Sequence, residues 1–372
     1  MRVNNPFTPA FGSEPMVLAG RENILEDILG GLENGPGDPN RSTILIGPRG
    51  SGKTVLLTKV ADEAAKIGWI SARVTASEGM LDSIVEQARK NGKEFLPKNA
   101  KTRLTELHAF GIGFSIEAAN DSRPSWRMQM TEILELLEEY RIGLLITVDE
   151  LDVKQEEMVA LVRDFQHFVT EKREVALLMA GLPGKALQMF QDKSISFVRR
   201  SFQHYLDTIP VSDVKSAIQE TVEVSGRRID ANALETAASY TEGFPFLIQL
   251  IGYHMWRQSP ESKEITISDV TKGMESADEY MERMILDTTV KDLSDKDIAF
   301  LLAMLPDPDM SRMADLTARL NAPSSVVGQY RLRLIRQGVI EEYGRGKVRF
   351  AIPLLREYLE KRFQNGRPVS VI

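Results

Sequence analysis

The stretch Ser42-Thr43-Ile44-Leu45-Ile46-Gly47-Pro48-Arg49-Gly50-Ser51-Gly52-Lys53-Thr54 decides how the rest of the chain is read. A short apolar run, a glycine-rich turn and the helix-compatible Val55-Leu56-Leu57-Thr58-Lys59-Val60 give the order strand, loop, helix. Gly47, Gly52, Lys53 and Thr54 match G-x-x-x-x-G-K-[ST], the pattern of a phosphate-binding loop. Glycines let backbone N–H groups turn inward around phosphate oxygens, and the helix N-terminus that follows adds its positive dipole end. The expected phosphate-contact set is Gly47, Pro48, Arg49, Gly50, Ser51, Gly52, Lys53, Thr54 and Val55. Lys53 is placed to reach the β- and γ-phosphates, and the Thr54 hydroxyl to bind Mg²⁺.

A second apolar strand, Ile142-Gly143-Leu144-Leu145-Ile146-Thr147-Val148, ends in Asp149-Glu150. An unbroken apolar run is the mark of a strand buried on both faces of a parallel sheet. Carboxylates at its C-terminal end stand where such sheets bind ligands. Asp149 is expected in the Mg²⁺ shell, and Glu150 is expected to orient and deprotonate an attacking water.

Around these two motifs, helix and strand patterns alternate. Trp69 to Val74, Glu174 to Gly181 and His204 to Ile209 read as further strands, giving five in an open α/β sheet. Phe110 to Glu117 alternates like a small strand or hairpin. From Ser212 only helical patterns occur: Asp230 suits a cap, Pro245 a first turn, and Ser268-Asp269 a start running to about Leu286. The last segment reads as three helices (Leu293 to Leu305, Met313 to Leu320, Ser324 to Gln337) and two strands joined by Gly344-Arg345-Gly346, a winged helix-turn-helix. The expected division is an arm over 1–20, an α/β core over 21–210, a helical lid over 211–289, a winged helix over 290–365 and a tail over 366–372.

Composition narrows the functional classes. The 372 residues contain no cysteine, which excludes disulfides and thiolate metal sites, and the four histidines show no paired metal-ligand spacing. The start lacks the apolar core of a signal peptide, and no apolar run approaches the ~20 residues needed to span a bilayer, so a cytoplasmic protein without a membrane partner is expected. The net charge of −7 is unevenly spread. From Ser324 to Ile372 there are ten Lys/Arg against four Asp/Glu, a balance of +6 that leaves −13 for the remainder. This asymmetry suggests a separate task for the C-terminus. Duplex DNA is the expected partner, with Ser325 and Gln329 near the start of the recognition helix, Arg333 and Arg336 further along it, and Arg345 and Lys347 on the wing.

Gly20-Arg21-Glu22, the phosphate loop, Asp149-Glu150-Leu151-Asp152, a helical lid and a terminal winged helix together resemble the AAA+ branch of origin-recognition and archaeal replication-initiator ATPases and related bacterial ATP-binding proteins. The resemblance implies ATP as ligand, with Gly20 and Arg21 near the adenine. It places Arg199 or Arg200 in the region of an arginine finger offered to a neighbouring subunit, hence a homo-oligomer, with Arg200 as the catalytic candidate. Two positions depart from the family pattern. The fourth strand runs into Ala180-Gly181-Leu182-Pro183 without a polar sensor side chain, and Gly243-Phe244-Pro245-Phe246 puts Phe246 where a lid arginine is expected. That Gly-x-Pro segment is similar to the lid of signal-transduction ATPases, in which the proline, here Pro245, lies by the base. Slow hydrolysis follows from the missing sensors. The expected function is ATP-controlled assembly and DNA binding; the alternative is a nucleotide switch or scaffold whose winged helix grips a protein partner.

Overall fold

A computed structural model describes residues 4–10, 12–104 and 125–363 of the chain. Its centre is a five-stranded, wholly parallel sheet in the order β2-β3-β4-β1-β5, with β1 Ser42–Ile46, β2 Trp69–Thr75, β3 Gly143–Asp149, β4 Val175–Gly181 and β5 Phe202–Tyr205. Side chains alternate between the two faces. Leu45, Leu145, Leu178 and Ala180 meet Leu56, Leu57 and Val60 of α2 (Lys53–Lys66) and Ile28 and Leu32 of α1 (Glu22–Asn34). Ile44, Ile146, Val148, Leu177 and Met179 face α3 (Met80–Phe95) and the helices Trp126–Glu139 and Glu156–Thr170. Burial on both faces explains why these strands carry apolar runs instead of alternation. The chain leaves β1 for one edge of the sheet and leaves β4 for the other. The crevice outside the C-terminal ends of β1 and β4 is therefore a topological switch point, the position where open α/β sheets bind ligands.

The fifth strand is shorter and earlier than expected, because the chain has left the sheet before Ile209, whose N–H donates to Gly243 O at 2.8 Å. Residues 98–104 are helical, and the strand expected over Phe110 to Glu117 lies outside the described residues.

After the sheet come helices Val211–Val224, Ala231–Tyr240, Pro245–Gln258 and Ile267–Met281. Asp230 caps its helix through Asn232 and Ala233 N–H, and Pro245 occupies a first turn, both as expected. The last helix starts one step earlier than expected. Thr266 is its cap, and Asp269 closes a reciprocal capping box from the third position. One hydrophobic cluster then runs without a break from Leu247 and Leu250 through Met281 to Phe300, Leu316, Leu334, Val348 and Leu359. The C-terminal segment consists of Asp295–Met304, Met313–Leu320 and Ser324–Gln337, then a three-stranded antiparallel sheet and a final helix Leu355–Phe363. The sheet takes its third strand from Ser311–Arg312, which sequence reading missed, as it missed the final helix.

Asn5, Phe7 and Thr8 of the N-terminal arm are docked on the helices that follow the sheet. Phe7 is buried among Val214, Ile218, Ile251 and Met255, and a Cβ on Gly252 would meet the Phe7 ring at 2.2 Å. Asn5 Nδ2 donates to Tyr253 O at 2.9 Å, and Thr8 N–H to Gln249 Oε1 at 3.0 Å. Among the described residues, no helix is long and apolar enough to cross a membrane.

Candidate phosphate and magnesium site

The phosphate loop leaves the buried end of β1 and turns into α2 through two glycines in the left-handed region, Gly50 at φ 76° and Gly52 at φ 87°. These are positions an ordinary side chain occupies at a steric cost. Gly47 is required for a different reason: a Cβ there would stand 2.6 Å from Ser51 Oγ and 3.0 Å from Leu206 Cβ. Lys53 Nζ is turned onto the loop's own carbonyls, donating to Gly47 O at 2.9 Å and Pro48 O at 2.6 Å. Burial lowers its pKa to about 8, an effect opposed by Asp149 and Glu150 and reinforced by Arg49.

Thr54 and Asp149 come from elements 95 positions apart and meet directly, Thr54 Oγ1 donating to Asp149 Oδ2 at 2.5 Å. The other Asp149 oxygen accepts from Glu150 N–H at 2.9 Å. Glu150 itself has φ 57°, an uncommon conformation for a side chain with a Cβ, and its side chain is exposed. The turn has a packing cause. Leu151 N–H bonds Ala180 O at 2.9 Å, and the buried Leu151 side chain fills the space over Gly181, where a Cβ would meet it at 2.8 Å. The chain must therefore fold back immediately after Asp149, which leaves Glu150 standing at the sheet's C-terminal edge.

Among the described residues, no group of three or more His, Asp or Glu gathers to hold a metal by itself. Thr54 and Asp149 are the residues that could hold Mg²⁺ if phosphate oxygens completed its shell. The residues present fit a phosphate ligand in another way. Ser51, which lines the cavity beside the loop, is 3% exposed, and its Oγ is buried without a hydrogen-bond partner.

Gly20 and Arg21 lie at the rim of the same region. Gly20 has φ 60°, and a Cβ there would meet Ile209 at 3.0 Å and the Asp213 carboxylate at 3.3 Å. Arg21 is buried, with its pKa lowered by desolvation against the opposing charges of Asp207 and Glu22; Nη2 donates to Asp207 O at 2.5 Å. Pro245 stands over Gly52 and Phe246 over Gly50, so the start of helix Pro245–Gln258 covers the loop directly.

Arg200 is exposed at the start of β5, the end of the sheet away from the phosphate loop. The register Thr43↔Phe202 and Ile46↔Tyr205 separates it from its own loop by the length of a strand, on the order of 13 Å. Neighbouring Arg199 is tied by Nε to Phe190 O at 2.5 Å.

In the C-terminal segment Ser325, Gln329 and Arg345 are exposed and Lys347 is half-buried. Arg333 is not free as expected for a DNA contact: Nε and Nη2 both bond Asp297 Oδ1, at 2.8 and 2.5 Å. Asp297 is buried in the capping box of helix Asp295–Met304, so its charge draws the guanidinium back. The backbone of Arg336 packs on the helix Pro183–Gln191, where a Cβ on Gly184 would meet Arg336 Cα at 3.0 Å. Sequence reading also missed Glu341 and Arg349 as neighbours of the phosphate loop; they line one cavity with Pro48 and Ser51, a proximity created only by tertiary docking.

A family model described as an AAA domain matches residues 38–190, and one described as a domain of unknown function (DUF8462) matches residues 283–359. No curated protein matches the chain. Among solved structures, the Walker-type ATPase PABY2304 of Pyrococcus abyssi has a TM-score of 0.65 at 15% identity, covering 92% of this chain and 96% of that one. The ORC2 protein of Aeropyrum pernix has a TM-score of 0.50 at 15% identity in its ADPNP–ADP complexes and 0.51 at 16% in its ADP form, each covering 96% of this chain and 97% of that one. Residues 38–190 thus match an AAA domain, and the chain shares its fold with these solved structures.

Proposed function

We propose that this protein binds Mg²⁺–ATP and hydrolyses it slowly, and that the nucleotide controls self-assembly and duplex DNA binding through a C-terminal winged helix. The observation that carries the reading is the meeting of Thr54 with Asp149 beside the phosphate loop, under an exposed Glu150. Lys53 Nζ exchanges the carbonyls of Gly47 and Pro48 for β- and γ-phosphate oxygens, a gain because a buried ammonium prefers an anionic partner. Magnesium, when bound, neutralises charge that builds on the phosphate oxygens. Thr54 and Asp149 hold it, and Glu150 orients the attacking water and takes its proton. Gly20, Arg21 and Pro245 form the base end of the site. Arg200 serves a second copy of the chain, since it stands at the end of the sheet away from its own loop.

The winged-helix reading rests on the order of three helices and an antiparallel sheet. Ser325 and Gln329 are the base-facing candidates, and Arg345 and Lys347 the backbone contacts. A second reading, a nucleotide switch with little turnover that holds a protein partner, is favoured by Ala180-Gly181-Leu182-Pro183 and Phe246, which put no polar sensor on the phosphates.

The deciding experiment is ATP turnover against protein concentration, with and without duplex DNA, with Glu150→Gln as control. Turnover that rises with concentration and DNA and vanishes in the variant supports the first reading. Tight binding with negligible turnover under every condition overturns it in favour of the switch.

A further inference from the structure

The lid position where an arginine is expected holds Phe246, but a different arginine reaches the phosphate loop. Arg349 lies on the strand Lys347–Phe350 directly opposite Glu341, and Arg349 Nε bonds Glu341 Oε1 at 2.5 Å. Its guanidinium also stacks on Tyr343, 4.7 Å from the ring centre. Both charged side chains are partly buried, at 33% and 19% exposure, and they line one cavity with Pro48, Ser51 and Pro245. Ser51, whose buried hydroxyl has no hydrogen-bond partner, lines the same cavity. The cavity sets a guanidinium and a residue with an unsatisfied hydroxyl beside the phosphate loop, groups that suit an anion, whereas its carboxylates Glu341 and Asp207 repel one.

We propose that Arg349 is a nucleotide-phosphate ligand supplied by the C-terminal segment, and that Glu341 holds its guanidinium while no phosphate is there. The proposal rests on the ATP reading above. A phosphate oxygen accepts from the guanidinium in a fork geometry that a single carboxylate contact does not match. Once a γ-phosphate takes Arg349, Glu341 is left facing an anion and is driven outward. The Ile340–Glu342 and Lys347–Phe350 strands then change their seating on the loop. Since these strands share a hydrophobic core with Leu247 and Leu250 of the covering helix, the change reaches both segments together.

The test uses the full-length chain. Equilibrium binding of ATP and ADP carrying a fluorescent ribose label is compared in the wild type and in Lys53→Ala, Arg349→Ala, Arg349→Lys and Glu341→Gln. Backbone hydrogen exchange over 339–352 is followed with and without ATP. Expected are a loss of about tenfold or more in ATP affinity in Arg349→Ala, a smaller loss for ADP, partial recovery in Arg349→Lys, and tighter binding in Glu341→Gln. Protection over 339–352 is expected to change with ATP in the wild type and not in Arg349→Ala. Glu341→Gln keeps the test decisive if Arg349→Ala fails to fold, since unchanged or weaker ATP binding in it overturns the proposal. Lys53-dependent ATP binding that Arg349→Ala leaves intact overturns the proposal alone; absence of Lys53-dependent binding in the wild type overturns the ATP reading and the proposal with it.

Discussion

The phosphate-loop edge of the sheet and the C-terminal segment both carry conspicuous charge, and the structure treats them differently. At the sheet edge the charges converge: Lys53, Asp149 and Glu150 come from two elements to one place. In the C-terminal segment they are dispersed by internal pairing. Arg333 is held by Asp297 and Arg362 by Asp287, both from sequence before Ser324, while Arg331 pairs with Glu342 and Arg349 with Glu341. The +6 of the tail is therefore partly neutralised by acids counted in the −13 of the remainder. A charge sum over a stretch of sequence measures composition; the field a partner meets depends on which charges are left unpaired at the surface.

Four changes break or sharpen this comparison, in decreasing size. Glu150→Gln removes the proposed base and is expected to lower turnover by roughly 10²–10⁴-fold while ATP binding persists, which single-turnover kinetics and equilibrium binding together check. Raising pH is the next largest effect. Lys53 titrates at about 8 in the free protein, and phosphate favours its charged form, so binding above that pH must take up a proton. ATP affinity is expected to be level below pH 8 and to fall by up to about tenfold per pH unit above it, until the pKa of the bound form is reached. Calorimetry in buffers of different ionisation enthalpy reads the proton directly.

Arg333→Ala is expected to cost about 1–3 kcal/mol of stability, because buried Asp297 loses a charged partner, with little change in DNA affinity beyond that. Denaturant unfolding beside DNA retention separates the two effects. The double variant Arg345→Ala, Lys347→Ala is expected to leave stability within about 0.5 kcal/mol and to reduce the salt slope of DNA binding by about 1 for each phosphate that is no longer neutralised. An equal DNA defect in Arg333→Ala and the double variant would erase the contrast between paired and free arginines.

The parts of the fold legible in the sequence are those whose causes lie close together along the chain. Ser42 to Thr54 contains a whole strand, its turn and the start of a helix, so local φ requirements and burial fix the phosphate loop without distant information. Asp149 and Glu150 were legible because an apolar strand states its own end. The docking of Phe7 against Gly252 was not, since neither residue signals the other across 245 positions. For the same reason Arg349 reads from sequence as one more basic residue of a wing, while in the folded chain it shares a cavity with Pro48 and Ser51. The helix expected to start at Ser268-Asp269 starts at Ile267 under a Thr266 cap, because Thr266, Ser268 and Asp269 all offer capping side chains.

The central claim is that Thr54 and Asp149 form half of a magnesium site that nucleotide phosphate completes. Titration of ATP into the full-length protein with and without Mg²⁺, in the wild type and in Asp149→Asn, tests it most directly. The account predicts about one ATP per chain, tighter binding with Mg²⁺ in the wild type, and loss of that Mg²⁺ effect in the variant. ATP binding that ignores Mg²⁺ in the wild type, or a Mg²⁺ effect that survives Asp149→Asn, would contradict it.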